Sequence, residues 1–470
     1  MEKKWKKKIA GLALLLAFAF VAAACGTKDD PEEGKKNVSV LGDNVKTEDP
    51  TAAPTKEPAP TPTKAPTPTE APAAALTEAP AVTETPAVEE VPGVTGDAPA
   101  ASEMIQRSLL QTGNNYRLKK AIAKARNGEE VVIAYIGGSI TEGANAFPRN
   151  TMCYAYRSYE YFKETFANGG DNVKFVNVGL SGTPSTVGMI RYDQDIVGKV
   201  GEPDIVFVEF AVNDADDPTN GVCYESLVLD ALQSEKTPAV VLIFAVFKSQ
   251  WNLQSRLAPV GEYYDLPMVS IKDAVVPALK SGELTEAEFF SDIYHPTNAG
   301  HQLMADCINY MFDVVDYEAA SETDITIPEN PKIGNAFVGV KMLDSTNTDV
   351  SVTAGGFSGK DTMLSGSKSF PNNWMKTSGS SNESFKATLN CKNIVLLYKS
   401  SSSATYGKAD IYVDGAKAAT VNGYAAGGWN NPLLKIVLNE KEAKEHTIEI
   451  KMADGDENKA FTVLALGYTE

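Results

Sequence analysis

Histidine is the scarcest chemical resource in this chain, with three in 470 residues, at positions 295, 301 and 446. Cysteine is almost as rare. The five are Cys25, Cys153, Cys223, Cys307 and Cys391, and no two make a C-x-x-C pair. The last four sit among apolar residues, as in "LMADCINYMF", and read as buried free thiols rather than as two disulfides. With no neighbouring His or Cys, none reads as a metal ligand, so the sequence asks for no metal and no cofactor. Positive charge is scarce as well. The balance of 43 basic and 61 acidic side chains gives a net charge of −18, with no basic patch beyond the extreme N-terminus. A phosphate backbone would be repelled, which excludes nucleic acid as a partner. The chain also lacks G-K-[ST] and G-x-G-x-x-G, the glycine-rich loops that cradle nucleotide phosphates.

Long apolar runs are missing except at the start. "MEKKWKKK" is a cationic segment and "IAGLALLLAFAFVAAA" an apolar one, slightly short for a comfortable membrane span. It ends in "VAAACG", where small residues before Cys25 resemble the lipobox of bacterial lipoproteins, with Ala22 where Leu is commoner. The resemblance implies lipidation of Cys25, cleavage before it, and membrane contact only through that anchor. The alternative is an ordinary secretory signal cleaved after an alanine. In both cases the mature chain works outside the cytoplasm. Residues 26–100 are mostly Pro, Thr, Ala and Glu, with almost no aromatics, and cannot bury enough surface to fold. They read as an extended, semi-stiff stalk. The expected boundaries are therefore a signal segment at 1–25, a disordered linker at 26–100, an α/β part at 101–320 and a β-rich part at 321–470.

From about residue 101 the composition becomes globular. "NNYRLKKAIAKARNGEE" carries Leu118, Ile122 and Ala125 at helical spacing, with Gly128 as a stop. Five apolar runs follow, at 131–136, 173–180, 204–212, 239–247 and 267–271, separated by helical stretches. They are continuously apolar rather than alternating, as strands covered on both faces are. The alternation predicts a doubly wound, five-stranded parallel sheet with ligands at the carboxyl ends of its strands. After about residue 321, short β-rich segments joined by Gly, Ser and Asn predict an all-β sandwich or jelly roll, with a hairpin at Asp414-Gly415.

Four places on the α/β part hold candidate chemistry. "VVIAYIGGSITEGA" ends a buried strand with Gly137 and Gly138 and puts Ser139 directly after them. "NVGLSGTPS" places Gly182 after the second strand, and "FVEFAVNDADD" places Asn213 after the third. "SDIYHPTNAGHQLMA" sets Asp292 three residues before His295, a spacing at which the carboxylate can reach the imidazole. Each signal has a plain alternative as a turn or cap. Together, in this order, they resemble the SGNH (GDSL-like) hydrolases over about residues 115 to 315. That family's G-D-S motif is Gly137-Gly138-Ser139 here, its G-x-N-D is Ala211-Val212-Asn213-Asp214, and its D-x-x-H is intact. Residue 138 and residue 211 thus depart from the pattern. The resemblance implies Ser139 as nucleophile, His295 as its base and Asp292 as the group that orients His295. It implies an oxyanion hole from the N–H groups of Ser139 and Gly182 and the side chain of Asn213. No G-x-S-x-G elbow of the α/β-hydrolase type is present.

Arg191 and Glu209 are expected to form a structural pair, with direct substrate support as the other reading, since an acid inside an apolar strand needs a partner if buried. His301 is expected to pack or face solvent, and His446 to lie on the surface. The anchor, stalk and added β part point to a polymer substrate. The expected activity is removal of O-acetyl, or another small acyl group, from a polysaccharide. Two alternatives stay open: a lipase or thioesterase, and a glycan-binding surface protein with an idle hydrolase fold. In the β part, Trp374, Tyr398, Tyr406, Tyr424 and Trp429 could stack on sugar rings if exposed, or form core if buried.

Overall fold

The structure, a computed structural model, describes residues 98–470. Cys25, the signal segment and all but the end of the linker lie outside the described residues. Among those described, no helix is long and apolar enough to cross a membrane.

The α/β part is built on six strands. They are β1 (Leu109–Gln111), β2 (Val131–Gly137), β3 (Val173–Asn177), β4 (Ile205–Glu209), β5 (Ala239–Phe244) and β6 (Met268–Ser270). Their spatial order is β1-β6-β5-β4-β2-β3. The five strands read from the sequence run parallel, and β1 is an antiparallel edge strand on β6. That sixth strand spans three half-buried residues, too short to leave a periodic signal. Every residue of β2, β4 and β5 is buried, because helices cover both faces. Successive side chains divide between two cores. Val131, Ile133 and Tyr135 face helices 116–126, 154–166 and 298–317, while Ala134 and Ile136 face helices 185–192, 222–232 and 254–263. Tyr135 lies opposite Phe207 in the ladder, and their rings stack at 4.6 Å.

The β-rich part holds eight strands in one antiparallel network, rather than a sandwich of separate sheets. They are β7 (Lys341–Leu343), β8 (Ser351–Thr353), β9 (Trp374–Lys376), β10 (Phe385–Ser401), β11 (Lys408–Val413), β12 (Ala416–Asn422), β13 (Trp429–Met452) and β14 (Phe461–Thr469). The main path is β12-β11-β13-β10-β14-β7, with β8 on β10 and β9 on β14. The connectivity follows from β10 and β13, which are long and interrupted by register shifts at Cys391/Asn393 and Ile394/Val395. Such irregularities bend a strand and let it pair with different neighbours along its length.

The two parts share apolar packing. Ile394, Leu396 and Phe461 point into the β-rich core, whereas Val395, Leu397, Leu464 and Ala465 join the second α/β core beside Val187 and Ile190. A Cβ on Gly467 would sit 2.6 Å from Ile190, so the β14 backbone lies directly on helix 185–192. Cys153, Cys223, Cys307 and Cys391 are free and buried.

Candidate active site

Strand β2 delivers Ser139 to the carboxyl end of the sheet, at the start of a single helical turn, Ser139–Glu142. The two glycines before it are required by space. A Cβ on Gly137 would sit 2.2 Å from Thr141 Oγ1, and one on Gly138 would sit 2.1 Å from Asn213 Oδ1. The departure from G-D-S at residue 138 thus has a physical cause: the Asn213 amide occupies the room an aspartate would need.

His295 Nε2 lies 2.9 Å from Ser139 Oγ. On its other side, His295 Nδ1 meets Asp292 Oδ2 at 2.9 Å and Oδ1 at 3.1 Å. The three side chains form one hydrogen-bonded line. Asp292 Oδ1 also accepts from the backbone N–H groups of Tyr294 and His295, both at 2.7 Å, and Oδ2 accepts from Asn145 Nδ2 at 2.8 Å. Partial burial pushes this carboxyl up, but the donors from His295 and the backbone outweigh it and hold it at about 2. Asp292 is therefore a carboxylate throughout the range in which imidazole titrates, and Nδ1 carries a proton toward it.

Asn213 opens a short 3-10 turn after β4, and its Oδ1 is buried with no hydrogen-bond partner. The turn is held by its neighbour Asp214, which accepts from Ser185 N at 2.7 Å and Ser185 Oγ at 2.9 Å. Gly182 is exposed with φ +68°, a conformation that glycine adopts without strain. Its loop is seated on the nucleophile turn: a Cβ on Gly179 would lie 2.2 Å from Glu142 N, and Ser181 N–H donates to Glu142 Oε2 at 2.9 Å.

Arg191 and Glu209 do not pair. Arg191 is fully buried, donates to the Val178 carbonyl at 3.2 Å and forms its ion pair with Asp195, one helical turn ahead. The local partner at i+4 satisfies it without reaching across the sheet. Glu209 accepts from Thr141 Oγ1 at 3.1 Å, and its other carboxyl oxygen has no partner. Burial pushes this carboxyl up to about 7, against the lowering effect of the Thr141 hydrogen bond. A neutral acid needs no cation, which is why the predicted pair is unnecessary.

Other supports were not singled out from sequence. Thr141 Oγ1 also meets Tyr154 OH at 2.8 Å. His301 is buried, accepts from Tyr154 N at 3.3 Å and meets the Ala144 carbonyl at 3.2 Å. Burial lowers its pKa to about 4, so it is a neutral brace for the 139–144 turn. Asn145 and Glu142 complete the surroundings of Asp292 and the Gly182 loop. His446 is buried against Asp414 at 2.7 Å, contrary to the surface position expected, because the hairpin at Asp414 folds over it.

Exposed aromatic rings flank the serine. On the imidazole side, Tyr294 lies 6.0 Å from His295 and 5.1 Å from Phe247, which stacks on Trp251 at 6.0 Å. On the opposite side, the Trp429 ring from the β-rich part stands over Gly182, with Cζ2 3.0 Å from where a Cβ would be. Trp429, Trp251 and Tyr294 are 45%, 40% and 48% exposed. Of the other candidates in the β-rich part, Tyr424 is exposed, while Trp374, Tyr398 and Tyr406 are core.

Residues 135–303 match the GDSL-like Lipase/Acylhydrolase family. No curated protein sequence matches the chain. Among solved structures, a two-domain esterase active on acetylated mannans is 28% identical, with a TM-score of 0.69 over 78% of this chain and 99% of that one. The same esterase co-crystallised with mannopentaose gives 29% identity and a TM-score of 0.68 over 78% and 98%. A match over 78% of the chain exceeds the α/β part alone, so the likeness extends into the β-rich part. With that family's match spanning the strands that carry Ser139, Gly182, Asn213 and His295, the α/β part belongs to the GDSL-like lipase/acylhydrolase family and the chain is a serine ester hydrolase.

Proposed function

We propose that the protein is an extracellular carbohydrate esterase that removes O-acetyl groups from a polysaccharide through Ser139, His295 and Asp292. The observation that carries the chemistry is the hydrogen-bonded line from Ser139 Oγ through His295 to Asp292. Ser139 Oγ attacks the acetyl carbonyl carbon while its proton passes to His295 Nε2. Asp292 stabilises the imidazolium that results. The negative charge on the carbonyl oxygen is met by the N–H groups of Ser139 and Gly182 and by the Asn213 amide, each worth about 3 kcal/mol in the transition state. His295 then returns the proton to the departing sugar oxygen, leaving an acetyl-serine. Water, deprotonated by the same imidazole, attacks that ester, acetate leaves, and Ser139 recovers its proton.

The rim supports a sugar as the alcohol. His295 must protonate the leaving oxygen, so the sugar passes close to Tyr294, with Trp251 beyond it. Trp429 offers a second exposed face on the far side of the serine. Flat aromatic faces complement the C–H faces of pyranose rings, and a polymer can span both. The similar two-domain esterase is active on acetylated mannans, which makes acetylated mannan the first substrate to try. The cationic and apolar start, with Cys25 as lipidation site, supports a cell-surface location. The boundaries at 1–25, 26–100, 101–320 and 321–470 belong to the same proposal.

The test is acetate release from acetylated mannan and acetylated xylan by the natural chain and by Ser139→Ala. The expected result is release that falls by several orders of magnitude in the variant. Equal release by both would overturn the assignment of Ser139.

A further inference from the structure

Glu142 joins three pieces of the molecule that no motif connects. It lies three residues after Ser139 on the same one-turn helix. Its Oε2 accepts from both Ser181 N–H, at 2.9 Å, and Ser181 Oγ. Ser181 immediately precedes Gly182. Its Oε1 accepts from Arg149 Nη1 at 3.1 Å and from Lys368 Nζ of the β-rich part. The Glu142 side chain is 11% exposed, whereas Arg149 and Lys368 are each more than half exposed. Burial pushes the carboxyl up, but hydrogen bonds from Lys368 and Ser181 outweigh this and hold it below the usual carboxylate range.

Lys368 is itself held in place. It closes the short 3-10 turn at Ser365–Ser367, whose hydroxyls donate to the carbonyls of Trp429 (3.0 Å) and Asn430 (2.7 Å). The Trp429 ring packs against Gly366 on one side and Gly182 on the other. One wedge of the β-rich part thus reaches the 179–182 loop through both an ion pair and a ring.

We infer that Glu142 is a positioning residue that fixes the Gly182 N–H relative to Ser139, and that Lys368 makes the β-rich part a working component of the oxyanion hole. The inference rests on the proposed roles of Ser139 and Gly182. An oxyanion donor acts only when its N–H points at the transition-state oxygen within hydrogen-bond range, so a shift of about 1 Å in the 181–182 peptide removes most of its effect. Glu142→Gln keeps the shape but replaces one accepting oxygen by a donor, which faces either Ser181 or the two cations. Lys368→Met removes the cation and keeps the stem.

The experiment measures kcat and KM for phenyl acetate, inhibition by a small boronic acid that forms a tetrahedral anion on the serine, and the thermal midpoint. It compares the natural chain with Glu142→Gln, Lys368→Met and Lys368→Arg. The expected result is a kcat lower by on the order of tenfold to a hundredfold in Glu142→Gln, smaller in Lys368→Met and restored in Lys368→Arg, with KM nearly unchanged. Boronate affinity is expected to fall by the same factor as kcat/KM. Variants that lose thermal stability but keep kcat and boronate affinity would overturn the inference, leaving Glu142 as a packing strut. If the natural chain hydrolyses phenyl acetate but Lys368→Met is unchanged in every readout, the part assigned to the β-rich half is overturned and the hydrolase reading stands. A natural chain that neither turns over the ester nor binds boronate overturns both.

Discussion

Restoring the family's G-D-S sequence by Gly138→Asp is expected to disable this protein rather than improve it. The reason lies in one distance. A Cβ on Gly138 would stand 2.1 Å from Asn213 Oδ1, and ordinary contacts at such a carbon begin at 3.4 Å. The Asn213 amide would have to retreat by about 1.3 Å, more than a well-placed catalytic hydrogen bond tolerates. The backbone at residue 138, with φ −86° and ψ −147°, does not itself call for glycine, so the cost falls on the neighbour. Losing one oxyanion donor lowers kcat by about 10² to 10³, or about 3–4 kcal/mol. Gly138→Asp is expected to reach that range and Gly138→Ala to approach it, since both carry the same Cβ. KM should change little, because the donor acts on the transition state. The assay is steady-state hydrolysis of phenyl acetate, with the thermal midpoint measured alongside to show that the variants are folded. A folded Gly138→Asp chain with natural kcat would refute the role of Asn213 and the spatial reason for the glycine.

Asp292→Asn should lower kcat by about 10⁴, because the amide cannot stabilise the imidazolium and favours the wrong tautomer; a loss below tenfold in a pH–rate study would remove Asp292 from the mechanism. Glu209 carries a carboxyl raised from 4.5 to about 7 by burial, so its contribution to stability is fully present below pH 4.5 and is lost as pH rises toward 7, by on the order of 3 kcal/mol. Glu209→Gln should therefore flatten the fall of the thermal midpoint between pH 4.5 and 7, and an unchanged slope would show that another group titrates there. Trp429→Ala should raise KM for an acetylated manno-oligosaccharide several-fold while leaving phenyl acetate kinetics within about twofold; equal effects on both substrates would mean the ring only packs the Gly182 loop.

The parts of this molecule legible in the sequence are those whose signal is local. Five parallel strands announce themselves as apolar runs, and Asp292 and His295 sit three residues apart. Ser139 stands directly behind its glycines. The edge strand Leu109–Gln111 is too short for a pattern and is held by pairing with Met268 and Val269. The single continuous β network depends on irregularities in β10 and β13 that composition does not encode. The Arg191 partner was within reach, since Asp195 stands at helical i+4 spacing. Glu209 drew the prediction instead because a buried acid looks unpaired until its proton is counted. Glu142 is the clearest omission. Its partners Ser181 and Lys368 lie 39 and 226 residues away, and only folding reveals that one carboxylate serves both.

The most direct test of the central claim is the site of covalent capture by a fluorophosphonate, located by peptide mass spectrometry on the folded chain. The account predicts one adduct, on Ser139, whose formation stops acetate release from acetylated mannan and which is absent in His295→Ala at equal protein concentration. Full acetate release from a chain carrying that adduct, or an adduct confined to another serine, would contradict it.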